Sequence, residues 1–141
     1  MSDHARELLD AAGGQPPGSL RAALANAMVG LKKRYYGRGP EAAKAFIEDD
    51  YIFVVLEGGM TRNEETLLAA GKEDLVRQYR LTFQDVVGPT ATGAVEELTG
   101  RRVIGYHSQV VFEPFRAFEI FVLEPQTGSL SANGRGRPAD G

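Results

Sequence analysis

The sequence predicts an α+β fold: a small three-stranded, mainly antiparallel sheet packed with about four to five helices. Three observations carry that prediction. Apolar residues recur at helical spacing in residues 20–35 and again in residues 75–87. Residues 51–56 are six consecutive aromatic, β-branched or apolar side chains, the composition of a strand covered on both faces. Residues 103–112 and 115–123 are two further β-rich runs joined at Glu113-Pro114, which reads as a hairpin.

The elements follow in order. Residues 1–18 are polar and end in Gly13-Gly14-Gln15-Pro16-Pro17-Gly18, so they read as a flexible leader with a short helical stretch over residues 3–12. Ser19 suits a helix N-cap, and Leu20, Leu24, Ala27, Met28, Leu31 and Tyr35 form a stripe that Gly37 terminates. Gly39-Pro40 then predicts a second helix, with proline at its first position, carrying Ala43, Phe46 and Ile47 to Glu48-Asp49-Asp50. After the strand at 51–56, Thr61 and Glu64 match a capping box that opens a short helix to Ala70. Beyond Gly71, the spacing places Leu75, Val76, Tyr79, Phe83, Val86 and Val87 on the buried stripe of a long helix. Glu73, Arg77, Arg80 and Gln84 fall opposite. Gly88-Pro89 predicts a break or kink, followed by a helical piece over residues 94–98 ending at Gly100. The folded unit spans residues 19–124, and residues 125–141, rich in glycine and proline, read as a disordered tail.

In the last strand Phe118, Ile120 and Val122 alternate with Ala117, Glu119, Phe121 and Leu123, so both sheet faces carry apolar side chains. Helix 1 or a second subunit is expected to cover the face that the other helices leave open, and a homodimer follows as the expectation.

Composition narrows the function classes. The 141-residue chain is 43% hydrophobic and 25% charged, ordinary for a globular domain. Its net charge of -3 disfavours a surface devoted to nucleic-acid phosphates. Without cysteine there is neither a disulfide nor a thiolate nucleophile. The start lacks a signal-peptide pattern, no apolar run approaches the roughly 20 residues of a membrane span, and a cytoplasmic location is the default expectation.

A resemblance covers most of the predicted folded unit. It rests on Tyr35-Tyr36-Gly37-Arg38-Gly39-Pro40, Leu56-Glu57-Gly58-Gly59-Met60-Thr61-Arg62 and Thr66-Leu67-Leu68-Ala69-Ala70-Gly71. To these are added Leu75-Val76-Arg77-Gln78 with Phe83-Gln84-Asp85, Glu96-Glu97-Leu98-Thr99-Gly100-Arg101 with Val103, and Phe121-Val122-Leu123-Glu124. In these residues the chain resembles the MpsC family, once listed as a domain of unknown function and named for a Na+-translocating membrane-potential-generating system. The resemblance implies a non-enzymatic accessory or regulatory protein of a membrane cation-translocating or inorganic-carbon uptake system. Its expected partner is a membrane transporter subunit, met at the inner face of the membrane. The resemblance supplies no catalytic residues.

Each candidate site also has a purely structural explanation. Gly58-Gly59, between strand and helix, suits a tight turn with positive φ; with Arg62 and a helix N-terminus it could also meet a bicarbonate-sized anion. Lys32-Lys33-Arg34 with Tyr35, Tyr36 and Arg38 forms a basic, aromatic helix end, which the helix dipole explains without a ligand. Glu48-Asp49-Asp50 reads as hydrated surface rather than a metal site, and no cofactor is expected. His107 and Ser108, adjacent in a strand, point to opposite faces and so form no hydrolytic pair. Glu73 and Arg77 form a helical ion pair that leaves Arg80 as a spare cation. Tyr36, Arg38, Glu57, Gly58, Gly59, Arg62, Arg77 and Arg80 are therefore the candidate partner or anion contacts. The alternative is a KH-like small RNA-binding domain, since strand, helix, helix, strand, strand is the type I order. The junction Ala69-Ala70-Gly71-Lys72 carries one glycine where the G-x-x-G loop needs two.

Overall fold

The computed structural model describes residues 19–126. The leader of residues 1–18, its short helix and all but the first two residues of the tail lie outside them.

Among the described residues the sheet has four strands, not three, and three helices stand where four to five were expected. The elements are α1 (Leu20–Tyr36), β1 (Ala42–Glu48), β2 (Tyr51–Glu57), α2 (Arg62–Ala69), α3 (Glu73–Thr99), β3 (Val103–Val111) and β4 (Arg116–Leu123). All neighbouring strands are antiparallel, in the order β1-β2-β4-β3.

Two misread segments account for the difference. The helix predicted after Pro40 is β1, because Asp49-Asp50 closes a two-residue hairpin that pairs Glu48 with Tyr51 and Ala42 with Glu57. The alanines at 42, 43 and 45 favour a helix in isolation, but pairing along the whole length of β2 outweighs that propensity. Asp49 takes the left-handed φ of 53° that the turn needs, a conformation aspartate tolerates. Of the break or kink predicted at Gly88-Pro89, the break does not occur: α3 runs 27 residues through it. Pro89 is exposed, as is Asp85 four residues before it, so water can satisfy the carbonyl that proline leaves without a donor. Gly88 faces inward and lets Tyr106 approach to where a Cβ would lie 3.3 Å from its ring.

The other caps formed as expected. Ser19 Oγ accepts from the Ala22 amide, and Gly37 ends α1 with φ 81°. The capping box is complete: Glu64 N–H donates to Thr61 Oγ1 and Thr61 N–H to Glu64 Oε1.

The helices cover one face of the sheet. Leu24, Met28 and Leu31 of α1 and Val76, Val87 and Val95 of α3 join Ile52, Val54, Leu56, Phe121 and Leu123 in a single core. Lys32 from α1 and Gln84 from α3 both reach Glu119 on that face, so α1 does not cover the opposite side. That opposite face carries Phe46, Tyr51, Phe53, Val55, Phe118 and Ile120; Phe46 is 43% and Tyr51 55% exposed, and the other four are half-buried against one another.

The phase of α3 also differs from the prediction. Its buried positions are Val76, Arg80, Gln84, Val87, Gly88, Ala91, Ala94 and Val95. Leu75, Tyr79 and Val86, expected inside, are exposed. Small residues let α3 approach its neighbours, and two polar side chains enter the core because partners await them there.

Candidate functional site

The α1 C-terminus, the Gly58-Gly59 turn and the first half of α3 converge on a buried polar axis. At one end Arg80, 3% exposed, donates through Nε to Glu64 Oε2 at 2.5 Å and through Nη2 to Glu64 Oε1 at 2.6 Å. A third bond from Nη2 reaches the Gly59 carbonyl at 3.3 Å. The guanidinium plane lies over the Tyr36 ring, 3.9 Å from its centroid, and over Phe115 at 4.8 Å. Such stacking suits arginine, whose flat and weakly hydrated head tolerates burial when its donors are met.

At the other end Glu119, 1% exposed, is held from both layers. Its Oε2 accepts from Lys32 Nζ at 3.3 Å, Gln84 Nε2 at 3.3 Å and Ser108 Oγ at 3.0 Å, while its Oε1 accepts a short bond from the Tyr106 hydroxyl. Four elements, α1, α3, β3 and β4, are thereby tied to one carboxylate.

These surroundings shift several groups. Burial, together with the nearby Glu119 charge, pushes the Tyr106 phenol far up. Burial also raises the Tyr36 phenol, against the pull of Arg80, and its hydroxyl has no hydrogen-bond partner. Burial lowers the Lys32 ammonium even though Glu119 favours its charge. Burial would raise Glu64, but the Arg80 and Thr61 bonds outweigh it and hold the carboxyl below its ordinary value.

Of the sequence-predicted contacts, Arg38, Gly58, Gly59 and Arg80 line one space together with Lys32 and Phe115, and Tyr36 joins them through the Arg80 guanidinium stacked on its ring. That space measures about 10 Å³, room for one water rather than a larger anion without displacement of side chains. Gly58 and Gly59 have φ of 75° and 90°, as a tight turn requires, and Gly58 N–H is taken by the Phe115 carbonyl. A Cβ on Gly59 would lie 3.0 Å from the Gly39 carbonyl and from Pro40, so close backbone approach fixes glycine there. Arg38 donates to the Met60 carbonyl at 2.9 Å. Arg62 is exposed on α2, Glu57 meets Arg116 at 3.6 Å on the open sheet face, and Arg77 sits away at the β3 edge.

The structure departs from three of the sequence expectations. Arg80 is no spare cation but a buried, bidentate one, whereas the Glu73–Arg77 pair forms as expected at 2.8 Å. Lys32 belongs to the core, and only Lys33 and Arg34 of the basic run are exposed. Tyr36, placed off the apolar stripe by spacing, is half-buried, and Tyr35 is the exposed ring.

The sequence reading missed Lys32, Glu64, Gln84, Tyr106, Ser108 and Glu119 as one constellation. A signal existed: Glu119 alternates in phase with Ala117, Phe121 and Leu123, and Lys32 follows Met28 by one helical turn, so each places a charge on an apolar face. Asp50, from the acidic run, is engaged by Arg101 at 2.6 Å, and His107 is exposed while Ser108 points inward.

The described residues define a two-layer α+β protein with a buried polar axis and one sheet face that no helix among them covers. Residues 17–125 match the family model described as "Na+-translocating membrane potential-generating system (MpsC)", and the chain belongs to the MpsC family. No curated protein and no solved structure matches it. Among the described residues, no helix is long and apolar enough to cross a membrane.

Proposed function

We propose that this protein is a non-enzymatic accessory component of a membrane cation-translocating system and docks on a membrane-embedded partner through its open sheet face. Membership of the MpsC family supports the link to such a system. The observation that carries the docking role is the apolar face of Phe46, Phe53, Val55, Phe118 and Ile120, which no helix among the described residues covers. Apolar patches of this kind, rimmed by charges such as Lys44, Glu57 and Arg116, mark interaction surfaces. The buried titratable groups support an accessory role rather than catalysis, because they spend their hydrogen bonds on one another inside a packed core. A cytoplasmic position at the inner membrane face is part of the same proposal, and the inorganic-carbon variant differs only in the cargo.

Crosslinking of the tagged full-length chain in native membranes tests it. Capture of an integral membrane protein, lost in Phe118→Lys while the fold persists by circular dichroism, is the expected result. Capture that is unchanged by Phe118→Lys, or no membrane partner at all, contradicts it.

A further inference from the structure

The sheet has two edges, and they are treated differently. At the β3 edge, the Val110 carbonyl accepts from Arg77 Nη1 at 2.7 Å, the Val103 amide donates to Glu96 Oε2 at 2.9 Å, and the pairing with β4 shifts register between Val103 and Gly105. A capping side chain, a covering helix and a bulge are the means by which proteins keep an edge from pairing. At the β1 edge, no such side-chain bond to the strand's backbone is seen among the described residues. Its two-residue hairpin makes Glu48–Tyr51 the closing pair, and the alternation of an antiparallel ladder then turns the N–H and C=O groups of Ala43, Ala45 and Ile47 outward.

Hollows flank this open edge on both sides. One of about 320 Å³ lies on the open face beside Ala42, Lys44 and Val55. Another of about 300 Å³ lies toward α1, between Ala22, Ala25 and Ala45. An edge that no described strand pairs, lying between two hollows, is the geometry of strand addition, in which an incoming strand bonds through its backbone and sends alternate side chains to either side.

We infer that the open edge of β1 pairs antiparallel with β1 of a second copy, joining two four-stranded sheets into one of eight strands. The strand's own sequence argues for a second copy. With Phe46 opposite Phe46 of the second copy at the two-fold axis, Lys44 of each copy stands opposite Glu48 of the other, and Ala45 opposite Ile47. The outward-facing Ala45 and Ile47 become the hydrogen-bonded pairs, two bonds in each of two symmetry-related pairs. Ile47 of each copy enters the hollow beside Ala45 and Ala25 of the other, and the two phenylalanines meet on the open face. Opposite charges and an aromatic pair directly across are the stabilising cross-strand combinations. The inference goes beyond the functional reading above, and a failure of either leaves the other standing, because docking is read on a membrane protein and pairing on the chain by itself. If both hold, the open faces of two copies form one surface of double width.

Sedimentation velocity of the purified full-length chain, over a range of concentrations, is expected to show a species of twice the 15.3 kDa chain mass. Lys44→Glu sets like charges opposite each other twice and raises the dimer dissociation constant about tenfold or more; Lys44→Glu with Glu48→Lys restores it. The chain has no cysteine, so Phe46→Cys reports register directly. Directly opposite residues in a non-hydrogen-bonded pair have Cα atoms about 4.5 Å apart, within disulfide reach, and mild oxidation should crosslink Phe46→Cys but not Gln109→Cys on β3. A single protomer at all concentrations overturns the inference. So does a dimer indifferent to Lys44→Glu and uncrosslinked through Phe46→Cys, which would be a face-to-face packing. Dimerisation only after removal of residues 1–18 would assign the edge to the chain's own N-terminal segment and overturn it as well.

Discussion

Arg80 gathers more interactions than any other side chain of the core: two bonds to Glu64, one to the Gly59 carbonyl and two aromatic faces. A buried charge adds little net stability while paired, yet removing its partner strands the other charge in a medium of low dielectric. Arg80→Ala is therefore expected to cost about 3–5 kcal/mol, read as a lower urea midpoint at unchanged slope. Arg80→Lys should recover only part of it, since an ammonium supplies neither the fork nor the flat stack. The same pair dictates a pH dependence. The folded carboxyl of Glu64 titrates below its ordinary value of 4.5, so the folded state binds its proton less readily than the unfolded chain does. Its contribution is complete above that ordinary value and is lost as pH falls through the folded one. Urea midpoints should decline over that acid window, and the decline should be shallower in Glu64→Gln.

At the scale of elements, α3 shows where local rules give way to packing. Proline inside a helix removes a bond and crowds the preceding turn, yet Pro89 is accommodated because it faces water and because Gly88 and Ala91 seat the helix closely on the sheet. Pro89→Ala restores the missing donor to Asp85 and should raise stability by about 1 kcal/mol or more, visible as a higher Tm. Gly88→Ala should lower it, since the Tyr106 ring stands 3.3 Å from the new methyl and is held in place by Glu119 and the Phe121 ring. Much of the fold was legible. Ser19, the Thr61/Glu64 box, Gly37 and Gly100 mark helix ends, and the β-rich runs at 51–56 and 103–123 are strands in the fold. What escaped was β1, whose alanines hide its alternation, and the phase of α3, where Arg80 and Gln84 face inward. A charged or polar residue counts as exposed until its buried partner is known, and the partners Glu64 and Glu119 lie 16 and 35 residues away. For the same reason the candidate contacts were legible as individual residues but not as a constellation. Tyr36, Arg38, Gly58, Gly59 and Arg80 meet in the fold, while Arg62 and Arg77 stand apart.

As a whole, the described residues form a two-layer structure with opposed properties on its two sides. Its helical layer is locked to the sheet by a closed polar axis that leaves room for about one water. Its outer layer exposes aromatic rings and one backbone edge, the features through which a protein meets others. Unequal treatment of the two edges is the central claim, because it assigns pairing to β1 and leaves the open face free for the proposed membrane partner. Amide hydrogen exchange of the full-length chain at increasing protein concentration tests it most directly. The Ala45 and Ile47 amides should exchange fast in dilute solution and become protected as copies associate, while those of Ile52 and Val54 inside the sheet stay protected throughout. Protection of Ala45 and Ile47 that is already full at the lowest concentration, or never develops, would contradict it.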